Sequence, residues 1–225
     1  NYFFYDVGRR LGIDRLVDYA TRFGLGQKTG IELWEKAGVM ASREYTESLG
    51  QKWYDGNTLS VAIGQENSAF TPIQLANYIA TLVNGGTRYS THLLKEVKAS
   101  DFTSVEYSYQ PQVLSTIDIQ PKNLEAVKAG MLALTSDGSV SRYFQNLGVK
   151  VGAKTGSAQI SAQTESNAVF VCFAPYDDPQ IAVAIVIEKG GSGAALASTA
   201  VQVLNAYFSN TSASSAITGE NTLLG

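Results

Sequence analysis

The chain has 225 residues, 44% of them hydrophobic and 16% charged, with a formal net charge of -3. That composition belongs to a folding chain rather than a disordered one, and the lack of a basic stripe excludes nucleic acid as a partner. A single cysteine, Cys172, excludes an intrachain disulfide, and no run of 18 apolar residues reads as a membrane span, so an anchor of any parent protein would lie outside this sequence.

The sequence opens inside an aromatic run, Asn1-Tyr2-Phe3-Phe4-Tyr5, and reads as a piece of a longer protein. Residues 2–11 read as a helix that stops near Gly12. Asp14 is placed to cap a second helix, in which Leu16, Val17, Ala20 and Phe23 recur at helical spacing until Gly24-Leu25-Gly26. Residues 27–60, punctuated by Gly30, Gly38, Gly50 and Gly56, read as loop. The clearest helix begins at Thr71-Pro72-Ile73-Gln74. Thr71 fits the N-cap, Pro72 the first turn, and Gln74 completes a capping box. Its apolar face is Ile73, Ala76, Ile79, Ala80 and Val83, and Gly85-Gly86 stops it. Residues 93–117 hold strand-like runs such as Ser104–Tyr107, and Pro121 opens a further helix carrying Leu124, Val127, Met131 and Leu134.

From Val149 the period changes. Val149–Ser157, Ala168–Ala174 and Ile181–Glu188 are β-rich runs separated by polar turns, which is the pattern of an antiparallel meander. A helix over 194–208 follows, with Val201, Leu204 and Phe208 on one side. Residues 210–225 are Ser/Thr-rich and read as a flexible tail. The fold class is therefore α+β, with helices packed on an antiparallel sheet.

Few residues here can do chemistry. His92 is the only histidine and stands in Thr91-His92-Leu93 with no nucleophile elbow nearby, which favours a surface histidine. Cys172 lies mid-strand among apolar residues and reads as core packing. Lys-Thr-Gly occurs twice. Lys28-Thr29-Gly30 follows a helix stop, and Gln27 stands where a phosphate loop needs glycine, so a structural turn is the better reading. Lys154-Thr155-Gly156-Ser157 instead lies on a strand of the small sheet. An ammonium and two hydroxyls on one strand present donors to a carboxylate. Gly156 allows close backbone approach, and the Ser157 N–H can face a developing oxyanion.

These residues, with their neighbours, resemble the class B penicillin-binding proteins, the peptidoglycan D,D-transpeptidases, which share their fold with serine β-lactamases. Lys154–Gln159 is similar to the third motif of that family, and Asn1-Tyr2-Phe3-Phe4 to the end of its second, S-x-N followed by an aromatic. Phe23–Leu33 is similar to the family's F-G-L-G-x-x-T-G-I-x-L stretch. Ala62–Gln65, Thr71–Ala76 and Asn84-Gly85-Gly86 are similar to its G-Q…T-P-x-Q-x-A…N-G-G block. The resemblance runs in order over residues 1–208. It departs at Leu33-Trp34-Glu35-Lys36, where L-P-G-E is frequent, and at Glu66, where glycine is. No Ser-x-x-Lys occurs anywhere in the chain, so the nucleophile and its lysine are not among these residues.

The resemblance implies that residues 1–209 form the C-terminal portion of a transpeptidase domain whose remaining strands and nucleophile helix come from the preceding part of the same protein. It implies cross-linking of stem peptides ending in D-Ala-D-Ala through a serine acyl-enzyme, with β-lactam antibiotics as ligands and no cofactor. Lys154 and Thr155 would hold the substrate carboxylate beside Gly156, the Ser157 N–H would supply half an oxyanion hole, and Asn1 would bond the substrate amide. Cell-wall synthesis or division proteins would be partners, at the extracytoplasmic face of the bacterial cell membrane. Two other readings stay open: a serine β-lactamase or β-lactam sensor, and a non-catalytic cell-division scaffold.

Overall fold

The structure is a computed structural model that describes residues 1–160 and 163–217, with side chains described to 209. The chain falls into two compact units, Asn1–Val127 and Lys128–Gly225.

In the first unit, α1 (Tyr2–Leu11) ends at Gly12, whose φ of 81° is accessible to glycine without strain. The second helix, α2 (Ile13–Arg22), takes Gly12 as its N-cap, so Asp14 sits in the first turn and not at the cap. Its negative charge still complements the helix N-terminus there. The stretch read as loop contains two helices, α3 (Arg43–Ser48) and α4 (Asp55–Ala62). Gly56 and Asn57 in the first turn of α4 hide it from propensity, and packing stabilises it instead. Gly8 of α1 faces Ala62 so closely that a methyl group at Gly8 would overlap the Ala62 Cβ. Ile13, Ala41, Trp53 and Val61 form the core between these pieces.

Helix α5 (Pro72–Val83) carries the expected capping box. Thr71 Oγ1 accepts from the Gln74 N–H at 3.4 Å and Gln74 Oε1 accepts from the Thr71 N–H at 2.9 Å. Its buried residues are Gln74, Ile79, Thr81 and Leu82, so the covered face is rotated from the apolar stripe of the sequence, and of that stripe Ile79 alone is buried. The reason is polar: Gln74, 1% exposed, donates through Nε2 to the carbonyls of Gln27 (2.5 Å) and Ala37 (2.6 Å) and thereby ties down the loop before it. Two small antiparallel ladders follow, β1 (Thr87–Tyr89) with β4 (Val113–Thr116), and β2 (Glu96–Lys98) with β3 (Val105–Ser108). Helix α6 (Pro121–Ser136) leads into the second unit; Lys128, Met131 and Thr135 are its buried residues, and Val127 is exposed.

The second unit holds α7 (Ser141–Phe144) and the meander. Strands β5 (Gly152–Ala158), β6 (Asn167–Ala174) and β7 (Ile181–Ile187) form a three-stranded antiparallel sheet in the order β5-β6-β7. A short 3-10 turn (Gly193–Leu196) leads into α8 (Ala197–Ile217). Strand alternation puts Ala153, Ala168, Phe170, Cys172 and Ala174 on one face, and these pack with Leu196, Ala197, Ala200 and Leu204. Val201 and Phe208 join this core as the sequence pattern requires. On the opposite face Phe173 stacks with Tyr176, over whose ring the Lys128 ammonium lies at 4.9 Å. The backbone of α8 continues to Ile217, past residue 210 where the tail was expected to begin, and residues 218–225 lie outside the described residues.

Candidate active site

Strand β5 occupies an edge of the three-stranded sheet because, among the described residues, its only ladder runs to β6, in register from Gly152↔Phe173 to Ala158↔Asn167. It enters the sheet buried: Gly152 is covered by the Phe173 ring, which a side chain at 152 would displace, and Ala153 is fully buried. From Lys154 on the strand surfaces. Lys154 and Ser157 are exposed, and Thr155 and Gly156 are half-buried. The motif thus starts where the strand leaves the core, so its polar groups face solvent without paying for desolvation.

Alternation along β5 sends Lys154 and Gly156 to the face of Val171 and Val169, and Thr155 and Ser157 to the face of Phe170 and Ala168. The Lys154 ammonium donates to the Thr155 carbonyl at 2.5 Å. A side chain at Gly156 would meet Val169 Cβ at 3.3 Å, so glycine keeps that step of the strand thin. Ser157 Oγ accepts a long bond, 3.5 Å, from the Gly193 N–H. Four of the five site residues foreseen from sequence, Lys154, Thr155, Gly156 and Ser157, are therefore brought together on one strand. The fifth, Asn1, belongs to the first unit, where it is exposed ahead of α1 and makes no side-chain capping bond. Gly193 was not foreseen; the signal available was the cluster Gly190-Gly191-Ser192-Gly193 directly after a strand.

The other Lys-Thr-Gly is structural. Thr29, 1% exposed, gives its N–H and its hydroxyl to one oxygen of Glu35 at 2.9 and 2.8 Å, and the Gly30 N–H goes to the other at 2.9 Å. Thr91 Oγ1 donates to Thr29 Oγ1 at 2.6 Å. Burial acts to raise the Glu35 carboxyl, but donation from these N–H groups and the Thr29 hydroxyl outweighs it and holds the group below its ordinary range. Arg88 supports the same loop, donating to Gln27 Oε1 and the Lys28 carbonyl, each at 2.8 Å. His92 is exposed and stacks on Tyr109. Cys172 is fully buried, and burial pushes its thiol up to about 12.

An α+β unit whose edge strand displays Lys-Thr-Gly-Ser, following a T-P-x-Q helix, has close counterparts among known proteins. Residues 1–208 match the family described as penicillin binding protein transpeptidase domain. Over 221 residues the chain is 35% identical to the peptidoglycan D,D-transpeptidase MrdA of Escherichia coli K12, covering 90% of this chain and 35% of that protein. The crystal structure of Pseudomonas aeruginosa PBP2 in complex with WCK 5153 superposes with a TM-score of 0.78 at 34% identity, covering 92% of this chain and 46% of that one. A structure described as showing structural coordination of polymerization and crosslinking by a peptidoglycan synthase complex matches with a TM-score of 0.72 at 32% identity, over 86% and 32% of the two chains. The chain belongs to the class B penicillin-binding protein transpeptidases, with their β-lactamase-like fold. It spans about a third of the length of the curated relatives it matches.

Proposed function

We propose that the protein carrying this chain cross-links peptidoglycan as a serine-type D,D-transpeptidase and binds penicillin at the same site. The observation that carries this reading is the surfaced Lys154-Thr155-Gly156-Ser157 on edge strand β5, whose open side leaves room for an extended peptide beside it. In the reaction, a serine oxygen attacks the penultimate D-Ala carbonyl of a stem peptide. The C–N bond breaks, D-Ala departs with a proton on its nitrogen, and an ester to the enzyme remains. An amine of a neighbouring stem peptide then attacks the ester and releases the serine.

This chain's part is to bind and polarise. Lys154 and the Thr155 hydroxyl hold the terminal carboxylate by charge and hydrogen bonding. The Ser157 N–H stabilises the oxyanion, and Asn1 bonds the substrate amide. The nucleophilic serine and its lysine base come from outside these residues, since no Ser-x-x-Lys is present. The same donors take the carboxylate and carbonyl of a β-lactam. Cell-wall synthesis proteins are the natural partners, and the working location is the extracytoplasmic face of the membrane. No described helix is long and apolar enough to cross a membrane.

Labelled penicillin tests this on the full-length protein. It should form a covalent adduct that persists, and Lys154→Ala should slow acylation by about 10²-fold, the effect of one preorganised electrostatic contact. Acylation of the variant at the parent rate would remove Lys154 from the site. Rapid turnover of penicillin would favour a β-lactamase instead, and no binding at all a scaffold.

A further inference from the structure

Between β7 and α8 the chain passes through Gly190, Gly191, Ser192 and Gly193. Ser192 caps the 3-10 turn, its Oγ accepting from the Ala194 N–H at 3.3 Å. Gly193, the first residue of that turn, is buried against the sheet. A methyl group on its Cα would overlap the carbonyl oxygens of Gly156 and Val169 and stand 2.8 Å from the Gly156 nitrogen. All three are backbone atoms, two on β5 and one on β6, so no side-chain rotation relieves the overlap. The φ of Gly193 lies outside the left-handed region, so glycine is needed here for space and not for conformation.

This contact falls under the part of β5 that carries the motif, and on the face to which Thr155 and Ser157 point. The Gly193 N–H reaches Ser157 Oγ at 3.5 Å. A hydroxyl has one proton and two lone pairs. With a lone pair engaged from below by an N–H, the Ser157 proton is left to be given away, on the exposed edge of the strand.

We propose that Gly193 is a positioning residue for the transpeptidase site: by lacking a side chain it seats the turn directly on β5 at Gly156, and through its N–H it orients the Ser157 hydroxyl as a donor to the substrate carboxylate. This rests on the reading of β5 as the carboxylate-binding strand. Gly193 touches no substrate and acts only through Ser157 and the height of the strand. Ser157 then has two duties, its N–H toward the oxyanion and its O–H, beside that of Thr155, toward the carboxylate.

The test uses the full-length protein and two probes, a penicillin and its methyl ester, which lacks the carboxylate charge. Acylation rate and pre-covalent affinity are measured separately for the parent, Gly193→Ala, Ser157→Ala, the double variant, and Gly130→Ala as control. Gly130 is exposed in α6, with open space around its Cα. For the free acid, Gly193→Ala and Ser157→Ala should each lower acylation efficiency by about tenfold or more, the effect of a lost hydrogen bond to a charged group. The double variant should lose little more than Gly193→Ala alone, because removing the Ser157 hydroxyl takes away a contact already lost. For the ester the loss of Ser157→Ala should shrink to under about threefold, Gly193→Ala should lose clearly less than on the free acid, and Gly130→Ala should match the parent on both probes. Equal losses on acid and ester, additive losses, or parent-like rates for Gly193→Ala would each overturn the proposal. Should Gly193→Ala not fold, Ser157→Thr and Ser157→Ala decide it: threonine keeps the acid-over-ester preference, alanine loses it, and no difference between them refutes the role of the hydroxyl. A parent that penicillin does not acylate would refute the site itself, a separate result.

Discussion

Lys154 and Cys172 belong to neighbouring pairs of the β5–β6 ladder, one step apart, since Lys154 pairs with Val171 and Cys172 with Ala153. Their chemistry diverges because one step of the pleat reverses which face a side chain meets. Cys172 points into the packed face with Phe170 and Leu204, where the charged thiolate has no partner. Its thiol, pushed up to about 12 by burial, is protonated near neutral pH and so lacks the reactive thiolate. A maleimide should therefore leave Cys172 unmodified in the native protein and label it promptly after denaturation; rapid native labelling, followed by mass spectrometry, would contradict the packing. Both fates were legible in the sequence, because Cys172 stands mid-strand among apolar residues whereas Lys154 opens the polar stretch of its strand. Gly193 was not legible, because its role comes from a contact with a strand 37 residues earlier, and glycines in a run do not announce which one is pressed against a backbone.

At the scale of elements, the capping box made α5 readable, since Thr71, Pro72 and Gln74 satisfy the helix terminus by local bonds. What α5 buries was not readable: Gln74 turns its amide toward the carbonyls of Gln27 and Ala37, a tertiary need that rotates the helix away from its apolar stripe. The same region hid α3 and α4; α4 packs on α1 and places Val61 in the core with Trp53, so its helicity depends on those contacts more than on propensity. The loop after α2 instead gathers around Glu35, and this has a pH consequence. A carboxyl held below its ordinary 4.5 in the folded state adds stability that is fully present above 4.5 and is lost as the pH falls through the folded-state value. Glu35→Gln should therefore lower stability by about 1 kcal/mol near neutrality, a modest figure because solvent screens the site. The gap between parent and variant melting temperatures should narrow as the pH is lowered below 4.5 and the carboxyl takes up its proton. A gap that stays constant over that range would mean the charge on Glu35 does not hold the loop.

Across the whole molecule, the order of motifs is what made the family legible: an F-G-L-G stretch, a T-P-x-Q helix, N-G-G and Lys-Thr-Gly-Ser follow one another as in the transpeptidases, although each alone is weak. The duplicated Lys-Thr-Gly shows that weakness, for one copy is a buried turn locked by Glu35 and the other an exposed edge. The sheet adds a second constraint. Among the described residues β7 pairs only with β6, and its sequence, Ile-Ala-Val-Ala-Ile-Val-Ile, carries no charge to discourage a further strand. Such an edge is a template for pairing with another chain. A polypeptide of these 225 residues alone has no Ser-x-x-Lys to acylate and nothing on β7 to block pairing. Expressed by itself, it should give no covalent band with fluorescent penicillin and should elute in size-exclusion chromatography with light scattering as species larger than a monomer. Co-expression with the preceding part of the same protein should restore both the adduct and a defined mass. A monodisperse monomer that carries penicillin on one of its own serines would refute the assignment of the nucleophile to other residues and the open edge together.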